Sequence, residues 1–276
     1  MRDDSVSESG VTTYALRISD AEVERYQVMA RWAARSEADV WAECGISPGA
    51  RVLDLGCGPG AVTIELARLV GAAGRVVGVD QDAASLAVAG ELAGRAAIDN
   101  VDWVHADAAS TGLPADFDVV MVRHVLGHAG SHLSAIVDHA ASLLRPGGCL
   151  YVVDGDATAA RFDPVDDDFV DLYHRYGQYH VRSGKDLAVG PRLGSILRAA
   201  GLTITHRHAG YEVVSPVPGG GGPWAARDAM VAAGMATSDD LDRWQRAIER
   251  VAADSDSALF APRFAAAGRT TSRLSG

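Results

Sequence analysis

The stretch RVLDLGCGPG, Arg51 to Gly60, decides how the rest of the chain is read. A short apolar run ends in three glycines, Gly56, Gly58 and Gly60, and the helical pattern AVTIELARLVG follows at 61–71. A strand running through a glycine turn into a helix is half of a strand–helix–strand unit. The same strand pattern returns at RVVGVD (75–80), VDWVHAD (101–107), FDVVMVRHV (117–125) and CLYVVDGD (149–156). Helical patterns lie between, at AASLAVAGELAGRAA (83–97) and HLSAIVDHAASLL (132–144), the second reached through a turn with Ser131 as its expected N-cap. Strands alternating with helices predict an α/β fold, with a parallel sheet covered on both faces.

On the N-terminal side, residues 19–45 read as one helix opened by Ser19 or Asp20, and 1–12 as a disordered tail. On the C-terminal side the alternation stops after Asp156. Residues 163–182 read as an inserted helix rich in Tyr and His, whose acids Asp163 to Asp168 suit a helix N-terminus better than a calcium loop. A helix at 192–201, an alternating strand at 202–214, two helices at 224–234 and 238–253 (the latter capped by Ser238) and a strand at 259–268 follow. Pro262 in that strand suits an edge or a bulge. His206 and His208 read as surface residues of an edge strand. The expected division is a tail at 1–12, an N-terminal helical cap segment at 13–48, a ligand-binding core at 49–156, an inserted helical lid at 157–190 and the rest of the core at 191–276, with a helical insertion near 223–253.

A net charge of −11 repels phosphate backbones, so nucleic acid is not an expected partner. No apolar run reaches the roughly 18 residues of a membrane span, and the acidic start MRDDSVSESG is no signal peptide. Cys44, Cys57 and Cys149 are dispersed and read as reduced thiols, which fits a cytoplasmic protein. A homodimer remains open.

The glycine loop first suggests a dinucleotide site, but the third glycine of the GxGxxG pattern would fall on Ala61. Asp54, two residues before Gly56, would repel a pyrophosphate and suits an ammonium group. Asp80 ends the second strand, where a carboxylate can hold ribose hydroxyls, and Asp107 follows the third, where it can accept from an adenine amino group. A ligand with an amino acid, a ribose and an adenine but no phosphate is S-adenosylmethionine.

VLDLGCGPG, VVGVD, DAAST and LLRPGGCLYVVD together resemble the class I S-adenosylmethionine-dependent methyltransferases. YALRISDAEVERYQVMA, MVRHVLGH and VGPRLGSILRAAGL resemble a bacterial subgroup acting on small molecules. The resemblance implies a Rossmann-like seven-stranded sheet whose antiparallel last strand enters between strands five and six, under a cap formed by the N-terminal helix and the insertions. It further implies that Gly56, Gly58 and their neighbours cradle the methionine part and that Asp54 meets its ammonium. Asp80 would hold the ribose, Gln81 would lie beside the adenine, and Asp107 and Ala108 would bind its edge. The Arg123 carbonyl would face the amine, and Tyr14 would bind the carboxylate.

The histidines of VRHVLGHAGSH, at 124, 128 and 132, share no single helix, because Gly127 and Gly130 interrupt it, so no metal is expected. Ligands of such sheets bind at the C-terminal ends of strands. His124, just after strand four, is therefore the candidate base, with His128 second. Tyr173, His174, Tyr176, Tyr179 and His180 are the candidate acceptor-binding residues. The expected activity is methyl transfer to a small molecule of specialised metabolism, with oxygen the first acceptor atom considered and nitrogen or carbon open. A peptide or protein methyltransferase, and a cyclase of the same fold that binds S-adenosylmethionine, are the alternatives. A nicotinamide oxidoreductase is disfavoured by Asp54 and the RPGG turn.

Overall fold

A computed structural model describes residues 20–215 and 221–270. Tyr14 and the tail at 1–12 lie outside them. The N-terminal helical pattern is two helices, α1 (Asp20–Ser36) and α2 (Ala38–Cys44), broken at Glu37. Neither glycine nor proline makes this break. Glu37 sits on the inward stripe with Ala33, Val40, Trp41 and Cys44, and it is only 4% exposed. Its carboxylate is held by the sheet beneath, as described below, and the chain turns around it.

The core then runs β1 (Arg51–Leu55), α3 (Ala61–Val70), β2 (Arg75–Asp80), α4 (Ala83–Arg95), β3 (Val101–His105), β4 (Phe117–Arg123), α5 (Leu133–Ser142) and β5 (Leu144–Gly155). β1 to β5 pair in parallel in the spatial order β3-β2-β1-β4-β5. Because β1 lies between β2 and β4, the order in which strands are added reverses there, and a crevice opens at the strands' C-terminal ends. Two short 3-10 turns, Leu126–His128 and Gly130–His132, join β4 to α5. Ser131 lies inside the second turn, and the N-cap position falls to His132 with no side-chain cap, so Ser131 does not start this helix.

Beyond β5, an unforeseen short strand, β6 (Arg161–Asp163), precedes α6 (Asp167–Arg182), which Asp166 caps through the amides of Asp168 and Phe169. α7 (Leu193–Ala199) and β7 (Thr203–Val214) follow, then three helices where two were expected: α8 (Gly221–Ala225), α9 (Arg227–Ala232) and α10 (Ser238–Ala253). Thr237, not Ser238, caps α10, in a reciprocal box with Asp240. β8 (Ala258–Arg269) closes the chain, antiparallel between β5 and β7. The implied order of the last strands is therefore observed, and β7, with His206 and His208, is an edge.

β8 is central, so Pro262 needs a different reason from an edge strand. On one side β8 pairs with β5 through Arg263–Arg269 and with β6 through Ala258–Phe260. Pro262 falls in the gap between those partners, where its missing N–H breaks no ladder on that side.

Two apolar layers bury the sheet. One gathers Leu53, Leu55, Val120, Val122, Leu150 and Val152 under α5 and α7, and the other gathers Val52, Met121, Tyr151 and Val153 under Trp41 and Leu66. A separate small core joins α6, α9 and α10 through Phe169, Leu172, Met230, Trp244 and Ile248, with Tyr173, Tyr176 and Tyr179 packed on it.

Candidate functional site

The glycine loop after β1 is tied to the neighbouring strand. The Gly56 and Cys57 amides donate to the Val79 carbonyl at 2.8 and 2.9 Å. The Gly58 amide donates to Asp80 Oδ2 at 2.7 Å, and the Asp82 amide to Asp80 Oδ1 at 2.9 Å. Asp80 thus holds the loop, while each carboxylate oxygen keeps a lone pair for a further donor. Gly58 has φ +53 with nothing within 4 Å of where a Cβ would stand, so its face of the loop is open. Gly60 is glycine for the opposite reason. A Cβ there would stand 2.5 Å from the Trp103 ring and 2.8 Å from Ala89 Cβ. Gly60→Val is expected to lose ligand affinity and stability together, the stability by about 1–3 kcal/mol from overpacking, read by chemical denaturation.

Asp54 is 2% exposed and accepts the Thr63 hydroxyl at 2.6 Å. Burial raises its carboxyl pKa to about 6, against the opposing pull of the Thr63 hydrogen bond and Arg123. An ammonium brought to it would restore full ionisation, so a cationic ligand is favoured there. Asp107 is exposed at the end of β3, where its Oδ1 accepts the Ala109 amide at 2.7 Å. Ala108 packs against the core beside it. Gln81 is exposed and presents its carbonyl to His105 Nε2 at 2.9 Å. These residues line one continuous rim along the C-terminal ends of β1, β2 and β3.

Past β4, His124 takes an uncommon positive φ, +54, and its amide donates to the Val153 carbonyl at 2.8 Å. The residue is exposed by area, although protein atoms crowd its ring. Its imidazole pKa is pushed down to about 3, by desolvation first and Arg123 second. The ring is neutral at pH 7 and able to accept a proton, but only as a weak base.

Arg123 points the other way, under the sheet. It pairs with Glu37 at 2.7 Å, and Arg263 of β8 pairs with the same carboxylate. The Tyr151 hydroxyl and Trp41 Nε1 also donate to Glu37, at 2.7 and 3.0 Å. Burial works to raise the Glu37 carboxyl, but the two guanidiniums and the Tyr151 hydroxyl outweigh it and hold it below its usual range. Arg263 also meets Glu212 at 2.7 Å and lies over the Trp32 ring. The sequence reading missed Glu37. Its signal was a carboxylate on the apolar stripe of a helix.

On the acceptor side, His128 and His180 meet edge to face at 5.2 Å, with Tyr176 and Tyr179 at 4.4 and 5.3 Å from His180. His180 is 4% exposed, and neither of its ring nitrogens nor His128 Nδ1 has a hydrogen-bond partner among the described residues. Burial lowers both imidazole pKa values to about 4, with Lys185 adding to it. Tyr173, which packs on the small core as Tyr176 and Tyr179 do, sets its ring against Phe162 at 4.9 Å and Phe169 at 5.2 Å rather than against His180. His174 is exposed on the outer side of α6, away from this cluster, so it does not join the other expected acceptor residues. His132 lies in the second 3-10 turn, and no group of three or more His, Cys, Asp or Glu among the described residues is placed to hold a metal ion. No helix among the described residues is long and apolar enough to cross a membrane.

A methyltransferase domain model matches residues 52–148. The 2-phytyl-1,4-naphtoquinone methyltransferase of Synechococcus elongatus is 36% identical over 109 residues, 39% of this chain and 46% of the relative. The ubiquinone biosynthesis O-methyltransferase of Xanthomonas campestris pv. campestris is 33% identical over 160 residues, 57% of this chain and 64% of the relative. The chain therefore spans about half to two thirds of the length of these relatives. A Bacillus halodurans C-125 protein whose crystal structure was assigned to the methyltransferases shares the fold, with a TM-score of 0.59 at 20% identity over 85% of this chain and 98% of that one. The glycine loop lies inside the matched segment, so residues 52–148 are similar to a methyltransferase domain, and the strand order of the sheet is that of the neighbouring fold.

Proposed function

We propose that this chain is an S-adenosylmethionine-dependent methyltransferase acting on a small-molecule acceptor, with a hydroxyl oxygen as the receiving atom, in specialised metabolism. The observation that carries the cofactor half is the cradle at the switch point. Gly58 leaves open space where a Cβ would stand, and Asp80 braces it from β2 with lone pairs to spare. In this reading Gly56, Gly58 and Gly60 admit the methionine part, and Asp54 receives the ammonium. Asp80 accepts the ribose hydroxyls, Gln81, Asp107 and Ala108 border the adenine, and the Arg123 carbonyl faces the amine. When bound, S-adenosylmethionine supplies a methyl group on a good leaving group. The protein aligns the acceptor and excludes water. His124 takes the acceptor's proton on a ring nitrogen, with His128 behind it. Tyr176, Tyr179 and His180 border the acceptor, while Tyr173 supports them from the small core. The O-methyltransferase relative supports oxygen, and the quinone relative supports a planar acceptor.

Calorimetry with S-adenosylmethionine tests the cofactor half. Asp80→Ala is expected to weaken binding about 100-fold, since it loses hydrogen bonds from ligand and loop alike, and unchanged affinity would sink the assignment. For the acceptor half, His124→Ala is expected to lower S-adenosylhomocysteine formation about 100-fold or more, the usual range for a general base, with cofactor affinity unaltered. Equal turnover would leave His124 without that role.

A further inference from the structure

Asp154 ends β5 with its carboxylate 6% exposed, no cation against it among the described residues, and no part in the cofactor rim. Its Oδ2 accepts the Gly127 amide at 3.0 Å, and its Oδ1 accepts the Gly155 amide at 2.9 Å. Gly127 stands in the middle of the turn between β4 and α5, three residues past His124 and one before His128. Its carbonyl accepts the Asp186 amide at 3.0 Å. Asp186 follows the C-terminal end of α6, where the Lys185 amide returns to the His180 carbonyl at 2.9 Å. One residue is therefore gripped on both sides, its N–H by a buried carboxylate from the sheet and its carbonyl by the backbone that leaves α6. There is little room for anything but glycine at that point. A Cβ on Gly127 would stand 3.2 Å from Asp154 Oδ1 and 3.3 Å from the Asp186 carbonyl. Nearby, a Cβ on Gly130 would stand 3.0 Å from the Gly184 carbonyl, so the two segments meet backbone to backbone.

A buried carboxylate costs free energy unless its hydrogen bonds serve the fold. The bond to Gly127 constrains the short turn that follows His124 and carries His128, and the bond to the adjacent Gly155 amide holds the carboxylate in place on β5. We propose that Asp154 is the positioning residue of the acceptor side. It fixes Gly127 through its N–H, and through the carbonyl of the same residue it seats the end of α6 so that His180 meets His128. The proposal rests on the methyltransferase reading for the purpose of the arrangement, but not for the arrangement itself.

The test is Asp154→Asn in the full chain, with Asp154→Ala as the harsher variant. An asparagine offers one acceptor and one donor where the structure presents two amide donors, so one of the two bonds is lost. In Asp154→Ala, which loses both acceptors, amide exchange should accelerate about 10-fold at Gly127, the loss of one buried hydrogen bond. The discriminating site is the Asp186 amide, which Asp154 does not touch. It should accelerate by a similar factor, while β1 and β4 amides keep their protection and S-adenosylmethionine affinity in calorimetry stays within about 2-fold. Turnover of any hydroxylated aromatic acceptor found in a panel assay should then fall in kcat, with the cofactor KM unchanged. Acceleration at Gly127 alone, or spread evenly over the sheet, overturns the proposal. Failure of S-adenosylmethionine to bind the unmodified protein overturns the methyltransferase reading and leaves the exchange result to decide the role of Asp154.

Discussion

Glu37→Ala is expected to destabilise the protein by about 3–5 kcal/mol, the usual penalty for breaking a buried ion pair from one side. The loss strands the Arg123 guanidinium and leaves Arg263 with Glu212 alone, and both arginine side chains are only about a tenth exposed. It also leaves the Tyr151 hydroxyl and Trp41 Nε1 without their acceptor. Glu37→Gln keeps the shape and one acceptor oxygen, so it should recover part of the loss. Urea denaturation at pH 7 reads both, and a loss under about 1 kcal/mol for the alanine would mean that the cluster behaves as an exposed one. The pH dependence has a definite sign. The folded carboxyl lies below its ordinary 4.5, so its contribution is complete above that value and fades as pH falls through the folded pKa. The effect should reach the site as well. Arg123 immediately precedes His124, and α1 and α2 meet at Glu37, so the break between the N-terminal helices and the end of β4 are held by one group.

Much of the core was legible because its causes are local. β1 to β5 are short apolar runs punctuated by glycine or polar turns, and the glycine loop sits where one of them meets a helix. Asp54, Asp80 and Asp107 could be ordered along a rim because the ends of parallel strands share one edge. Glu37 and Asp154 were not legible as anchors, because a buried carboxylate differs from a surface one only in its distant partners. Arg263 is 226 positions from Glu37 in the chain, and Gly127 is 27 from Asp154. The break between α1 and α2 went unseen for the same reason, since it answers to the sheet rather than to a helix-breaking residue. His174 was grouped with its neighbours on α6, but three of the five expected residues turn inward to the cluster or its rim, Tyr173 sets its ring against Phe162 and Phe169, and His174 faces out. A helix has several faces, and only packing tells which one meets the crevice.

Acid should loosen the contact between α6 and the β4 turn well before it attacks the carboxylates elsewhere. His128 and His180 are neutral in the fold, with pKa values lowered from 6.5 to about 4. Between those values the unfolded or detached state binds protons that the docked state refuses, so stability falls as pH drops from 6.5 towards 4. For His180 alone the full span is worth about 3 kcal/mol at 1.36 kcal/mol per pKa unit. Asp54 works in the opposite sense, because its raised pKa lets the folded state bind a proton first between 3.8 and about 6. The wild-type curve therefore mixes the two signs, and a variant is needed to separate them. His180→Phe keeps a ring against Tyr176 and Tyr179 but has nothing to protonate. The difference in unfolding free energy between wild type and variant should widen with acidification across that window, in favour of the variant. At neutral pH the variant should be no less stable, since it also removes two buried nitrogens that lack partners. A pH-independent difference would show that His180 is wetted in the fold.

The handover at Pro262 bears on how this chain could change its acceptor. The segment carrying α6 leaves and rejoins the sheet through main-chain contacts. β6 pairs with the first residues of β8, and the Ala157 amide closes the neck on the Leu187 carbonyl at 2.9 Å. Such bonds ask little of side-chain identity. The attachment of residues 158–186 to the sheet therefore depends little on their side chains, which pack instead on α9 and α10. In the proposed reading, the rim for the cofactor and the segment bordering the acceptor are separate pieces of chain, joined where Gly127 is gripped and where His128 meets His180.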